Sequence, residues 1–240
     1  MATAAGPPVN AGARTGRRLA RFVTLAVAVA LGAAGCARSL VDRAIAARGG
    51  PLAGVTREVR AQVHEGIPGE WTWELAYRAP RDVRWTLHTW GDEQSYVLEG
   101  GRASYTLGSA RLPVPPEART SLDTQSRWLA VTSLDVLREP SIASWNELSR
   151  DQLPTGVAHG LEARLVEGGA PYRLFFDTAD RLVLAEGEVA LPPIGSGHLR
   201  VRYQDFRETD GHWLPRRAVY ELDGRPLLEE EVLRYTIVPG

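Results

Sequence analysis

From Val55 to Val238 the chain repeats one device, a short run in which apolar residues alternate with polar ones, closed by a turn rich in glycine, proline or aspartate. Val55, Val59, Ala61 and Val63 alternate with Thr56, Glu58, Arg60, Gln62 and His64, the two-residue repeat of a half-buried strand. After Gly66-Ile67-Pro68-Gly69, the next run places Trp71, Trp73, Leu75 and Tyr77 on one face, and Pro80 stops it. Val83, Trp85 and Leu87 follow, then Tyr96 and Leu98 across Gly91-Asp92, then Tyr105 and Leu107 across Gly100-Gly101. These are successive antiparallel strands joined by tight turns.

Helical spacing occurs in few places. Leu40, Val41, Ala44 and Ile45 form one apolar stripe behind a Ser39 cap, ended by Gly49-Gly50-Pro51. Pro113, Pro115 and Pro116 interrupt the strand series, and Ser121 to Glu139 reads as a helix through Trp128, Leu129, Leu134 and Leu137, stopped by Pro140. A further short helix is expected from Ile142 to Leu148. Strands resume at 161–166, 172–176 and 182–191, and end with 199–206, 213–222 and 227–238, the last pairs joined by Asp210-Gly211 and Asp223-Gly224. The expected class is mainly β (α+β), with about eleven antiparallel strands. An open sheet of that size twists and exposes edges, so it must curl or be covered. An incomplete barrel, its concave apolar face lidded by two or three helices, satisfies both demands.

The N-terminus carries different information. Arg14, Arg17, Arg18 and Arg21 precede an uncharged stretch from Phe22 to Gly35, which is shorter than the roughly 20 residues a spanning helix needs and suits the core of an export signal. Leu31-Gly32-Ala33-Ala34-Gly35-Cys36 closes that stretch on small residues and presents the single cysteine of the chain. This resembles a lipobox, the signature of bacterial lipoproteins, although Ala33 stands where leucine is usual. The resemblance implies a signal peptide at 1–35, a mature domain at 36–240, and a diacylglycerol and an N-acyl chain on Cys36. An ordinary secretory signal cut near Ala34, and an uncleaved anchor with Cys36 as a small buried hydrophobe, are the alternatives. An intrachain disulfide is excluded by the count. Residues 36–240 suffice for a single domain. The formal charge is −1 with every basic residue an arginine, so no clustered basic excess marks a nucleic-acid footprint.

The order of elements adds a further resemblance. A lipobox, a helix ending in Ala47-Arg48-Gly49-Gly50, a meander containing Tyr77-Arg78-Ala79-Pro80-Arg81-Asp82-Val83-Arg84, and a late run from Tyr203 to Pro215 together resemble the LolA/LolB-like superfamily of lipoprotein-sorting proteins. That resemblance implies a half-open barrel whose apolar cavity accepts acyl chains, on a lipid-anchored member at the periplasmic side of the bacterial outer membrane. Its implied partners are that membrane and a lipid or lipidated protein; a monomer is expected. The absence of Asp at Ala37 favours outer-membrane sorting by the same resemblance. The turn Trp90-Gly91-Asp92-Glu93-Gln94 corresponds to the receptor's protruding loop but is charged, with Trp90 its one apolar residue.

Trp73, Trp85, Leu87, Tyr96 and Tyr203 are the candidate cavity-lining residues, being large apolar bodies at strand positions, with core packing as the competing role for each. Arg84 and Arg200 lie on strand faces, where solvation is the default against a gating role. His64, His88, His159, His198 and His212 are scattered without metal-ligand spacing, and Gly195-Ser196-Gly197 lacks the spacing of a nucleophile elbow. Neither a metal, a catalytic residue nor a cofactor beyond the attached lipid is expected, and the chain is not expected to be an enzyme. Glu229-Glu230-Glu231 reads as a solvated strand edge. The alternative function is a scaffolding outer-membrane lipoprotein with a filled core and no lipid transfer.

Overall fold

The computed structural model describes residues 40–240 other than 90, 91 and 193. The signal segment, Cys36, the Ser39 cap and Trp90 therefore lie outside the described residues. The first helix, α1 (40–48), buries Leu40, Val41, Ala44 and Ile45. It ends as its glycines require: Gly49 and Gly50 have φ of 109° and 121°, and their amides return to Ala46 O and Ile45 O, both at 2.9 Å. A side chain at Gly49 would also collide with the carbonyl of Gly211.

Thirteen strands follow: β1 (Leu52–Val63), β2 (Gly69–Arg78), β3 (Asp82–Thr89), β4 (Asp92–Glu99), β5 (Arg102–Leu107), β6 (Ala110–Leu112), β7 (Ala143–Glu147), β8 (His159–Leu165), β9 (Tyr172–Phe176), β10 (Leu182–Leu191), β11 (Gly195–Thr209), β12 (His212–Leu222) and β13 (Arg225–Pro239). They form one antiparallel sheet in the order β6-β5-β4-β3-β2-β1-β13-β12-β11-β10-β9-β8-β7. Strands that follow one another in sequence lie side by side, except β6 and β7, and β1 pairs with β13. The two edges, β6 and β7, do not meet, so the barrel is incomplete. Helix α2 (Pro116–Thr132) carries the chain from one edge to the other and packs on β3, β4 and β10.

Three expectations are corrected. The helix expected at 121–139 starts five residues earlier, because Pro116 at the first helical position has no amide to leave unpaired. It also stops at Thr132, where Leu134 turns left-handed with φ 69° before a 3₁₀ turn at Asp135–Arg138. The segment 142–148 is not helical: Ala143–Glu147 pairs with Leu161–Leu165 as edge strand β7, and Trp145 donates its indole N–H to Leu137 O at 2.9 Å. Pairing with an exposed strand outweighs the local helical tendency there. With β6 also absent from the expectation, thirteen strands replace eleven. Two α-helices, α1 and α2, are present among the described residues.

The faces of the sheet differ sharply. On the convex side arginine and glutamate pair across strands, as in Glu58 with Arg234 at 3.3 Å, Arg202 with Glu221 at 2.9 Å and Arg60 with Glu231. Exposed pairs of this kind contribute about 0–1 kcal/mol each, so their main effect is to keep this face wet. The concave side carries Val59, Ala61, Leu75, Leu161, Leu174 and Val201, all within the buried core beneath the helices.

Candidate functional site

The site begins with a parity conflict in β1. Val55, Val59 and Ala61 point inward, and Arg57 shares their parity, so the concave face receives a guanidinium. Glu230 on β13 answers it. The acidic run is not a solvated edge, because β13 lies in the middle of the sheet: Glu229 and Glu231 face outward to Arg217 and Arg60, while Glu230 faces inward at 5 % exposure. Its cross-strand neighbours are Ala61 and Ala218, whose small side chains leave room for the carboxylate.

Arg57 Nη1 lies 3.1 Å from Glu230 Oε2, Tyr220 donates its hydroxyl to the same oxygen at 2.7 Å, and Arg57 Nη2 reaches the Tyr220 oxygen at 3.5 Å. Burial disfavours the Arg57 cation, but Glu230, Tyr220 and Tyr235 more than offset this and hold its pKa above the ordinary arginine value. Tyr203 accepts a bond from the Trp128 indole at 3.3 Å, and Tyr235 donates to Pro215 O. Burial pushes the Tyr203 phenol up to about 12 and Tyr220 and Tyr235 well above the usual range.

Arg57, Tyr203, Tyr220 and Tyr235 form the floor of a cavity of about 140 Å³ between α1, α2 and strands β1, β2 and β10–β13. Its walls are Leu52, Val55, Leu129, Leu134, Leu182 and Leu214, with Phe206 and Trp213 beside them. Tyr203 and Phe206, three residues apart, both reach it because Asp205 between them has φ 50° and breaks the strand's alternation. At the rim, Arg181 sits 5.1 Å over the Phe206 ring, and Trp213 is 43 % exposed.

The roof is fastened at several points. Arg48 at the end of α1 donates to Ser133 O, to Gly50 O at 2.9 Å and to Asp135 at 2.9 Å, while Asp135 also accepts the Leu52 amide. Burial lowers the Arg48 pKa in spite of Asp135. On the opposite side Ser126 donates to Arg81 O and accepts from Arg81 Nε at 3.0 Å, and Glu167 bridges Arg81 and Arg127. Thr124 and Ser121 donate to Ala190 O and Pro192 O.

Of the five residues expected to line a cavity, Tyr203 lines this one. Trp73, Trp85 and Tyr96 instead form an aromatic ladder on the early strands with Tyr105: Trp73 and Trp85 meet edge to face at 6.1 Å, Trp85 and Tyr96 at 6.0 Å, and Tyr96 stacks on Tyr105 at 4.5 Å. Trp73 is buried in the core, and Leu87 sits opposite it. Arg84 is exposed and Arg200 pairs with Glu186 at 3.2 Å on the convex side. Two broader depressions, of about 620 and 490 Å³, are open and polar, one over the convex charge pairs and one along the loop before β8. Neither is lined by the tyrosines that surround Arg57. Among the described residues no cluster of three or more histidine, cysteine, aspartate or glutamate side chains is placed to hold a metal, and no helix is long and apolar enough to cross a membrane.

Known structures share this fold. The chain is similar to a LolA superfamily protein from Nitrosomonas europaea, with a TM-score of 0.56 and 12 % identity over 85 % of this chain and 94 % of that one. It is also similar to a DUF1329 family protein from Desulfovibrio piger, with a TM-score of 0.53 and 9 % identity over 85 % and 94 %. The fold is LolA/LolB-like, an open antiparallel sheet with covering helices. No family model matches the sequence, and no curated protein matches it.

Proposed function

We propose that this protein is an envelope lipoprotein, anchored to the outer membrane through acyl chains on Cys36, that binds an acyl chain or an acylated client in the cavity between its helices and its concave sheet, without covalent chemistry. The observation that carries this reading is the cavity itself: an apolar space lined by leucines and aromatics, with a small set of convergent polar groups at one end, roofed by helices that side-chain bonds hold in place. The similar LolA superfamily protein supports the theme at the level of fold. A chain anchored near Cys36 would present the domain to the periplasm, where lipidated clients travel.

The small volume favours a second reading, a scaffold whose core is filled. Small-molecule sites commonly measure about 300–1,000 Å³, and 140 Å³ is below that range. The two readings part in native mass spectrometry of residues 37–240 challenged with a lipidated peptide and its unacylated twin. Stoichiometric adducts with the acylated peptide alone are the expected result; no adduct, under conditions that load a known acyl carrier, would replace the binding reading by the scaffold.

A further inference from the structure

The anchor and the domain are close along the chain. Leu40 follows Cys36 by four residues, a stretch that spans at most about 14 Å when fully extended. An acylated Cys36 sits at the bilayer surface, so Leu40 must lie near that surface too. Leu40 opens α1, and α1 crosses one end of the sheet. There Leu40 borders the loop 153–158 before β8, Arg43 pairs with Asp180 in the β9–β10 turn at 3.0 Å, and Gly49 abuts Gly211 at the β11–β12 hairpin tip. Arg181, Phe206 and Trp213, the rim of the cavity, belong to the same end.

What this end exposes suits a lipid surface. The loop Leu153-Pro154-Thr155-Gly156-Val157-Ala158 is uncharged, the β9–β10 turn presents Thr178 and Ala179, and Trp213 is 43 % exposed. Tryptophan favours the headgroup layer of a bilayer. The neighbouring charges are turned to one another, Arg43 to Asp180, Arg181 to Asp177 at 2.7 Å and Arg138 to Asp42 at 3.3 Å. By contrast, the convex face and the outer face of α2 carry charge pairs such as Arg202 with Glu221 and Arg119 with Asp123, which would lose water against a bilayer. The exposed Ile67 and Val166 lie at the other end of the sheet. Strand β1, of 12 residues, holds Ile67 about 40 Å from the end of α1, beyond the reach of the anchor segment. We propose that the loop 153–158, the tip Thr178-Ala179 and Trp213 form the surface on which the domain rests on the bilayer that holds its anchor, so that the cavity rim faces lipid. The inference rests on the acylation of Cys36, not on what the cavity holds.

The test uses the full chain, exported and acylated, in vesicles of phosphatidylethanolamine and phosphatidylglycerol that carry a headgroup nitroxide as quencher. Cys36 is the single cysteine, and its sulfur is taken up by the diacylglyceryl thioether, so a maleimide dye labels only an introduced cysteine. Dyes on Thr155→Cys and Ala179→Cys are expected to lose most of their fluorescence, and dyes on Ile67→Cys and Val166→Cys to keep it. Should a substitution disturb folding, amide exchange of the unsubstituted protein decides: exchange at 153–158 and 178–179 is expected to be slower in the anchored form than in residues 37–240 free in solution. Quenching at Ile67→Cys or Val166→Cys, or at all four positions, would overturn the inference. Four unquenched dyes would also overturn it, leaving the domain anchored but clear of the surface. An intact mass without acyl chains would remove the anchor and the inference together.

Discussion

Replacing Glu230 by glutamine removes the carboxylate that faces Arg57 and leaves a guanidinium inside the sheet, with 15 % of its side chain exposed and its Nε already unpaired. Stripping one partner from a buried pair costs about 3–5 kcal/mol, because the remaining charge keeps its desolvation penalty and loses its compensation. In a domain of this size that is a fall in melting temperature of roughly 6–20 °C. Replacing Arg57 by methionine and Glu230 by leucine together removes both charges, and most of the loss is expected to return, since apolar replacement of a whole buried pair is often neutral or stabilising. Recovery stays incomplete until Tyr220→Phe is added, because the Tyr220 hydroxyl donates to Glu230. Urea unfolding of the single, double and triple variants gives the comparison, as midpoint shifts at constant slope. Single variants within about 1 kcal/mol of wild type, or a double variant no better than the singles, would refute the claim that the pair is buried and mutually dependent.

Three further outcomes follow from other contacts. Ser126 is fully buried and bonds Arg81 through both its backbone carbonyl and its Nε, so Ser126→Ala is expected to cost about 1–3 kcal/mol in the same unfolding assay. Burial pushes Tyr77 and Tyr203 up to about 12 from the usual 10. Between those values the unfolded chain binds fewer protons than the folded one, so stability is full below pH 10 and falls as pH rises to 12, by about 1.4 kcal/mol per pH unit for each buried tyrosine. Urea midpoints followed beside tyrosinate absorbance check this, and a midpoint flat across that window would count against the buried phenols. Cys36→Ala is expected to move the exported protein from the membrane fraction to the soluble one and to remove the acyl mass from its N-terminus, as read by fractionation and intact mass.

Much of the sheet was legible because period-two alternation and turn chemistry are local. Strands β9 and β10 coincide with the runs at 172–176 and 182–191, and Asp210-Gly211 and Asp223-Gly224 take the positive φ values that tight hairpins need. What was not legible depends on distance along the sheet. Periodicity says which face a residue occupies, not which part of that face the helices cover, so Trp85, Tyr96 and Tyr203 look alike in sequence although Tyr203 alone among them lines the cavity. Segment 142–148 became a strand through pairing with β8, a partner some 20 residues away. The floor pair did leave a signal: Arg57 interrupts the apolar parity of Val55, Val59 and Ala61, and the middle glutamate of an acidic run must face opposite to its neighbours. Recognising it required knowing that β1 and β13 are adjacent and central.

The central claim, that acyl groups enter this cavity, is tested most directly by nitrogen-15 indole resonances during titration with a lipidated peptide and its unacylated twin. Trp128 and Trp213 line the cavity, whereas Trp71 and Trp145 donate to Ile67 O and Leu137 O elsewhere, and Trp73 and Trp85 belong to the aromatic ladder. The account predicts saturable shifts at Trp128 and Trp213 with the acylated peptide only, and quiet signals from Trp71 and Trp145. Shifts confined to Trp73 and Trp85, or the same shifts with the unacylated twin, would contradict it.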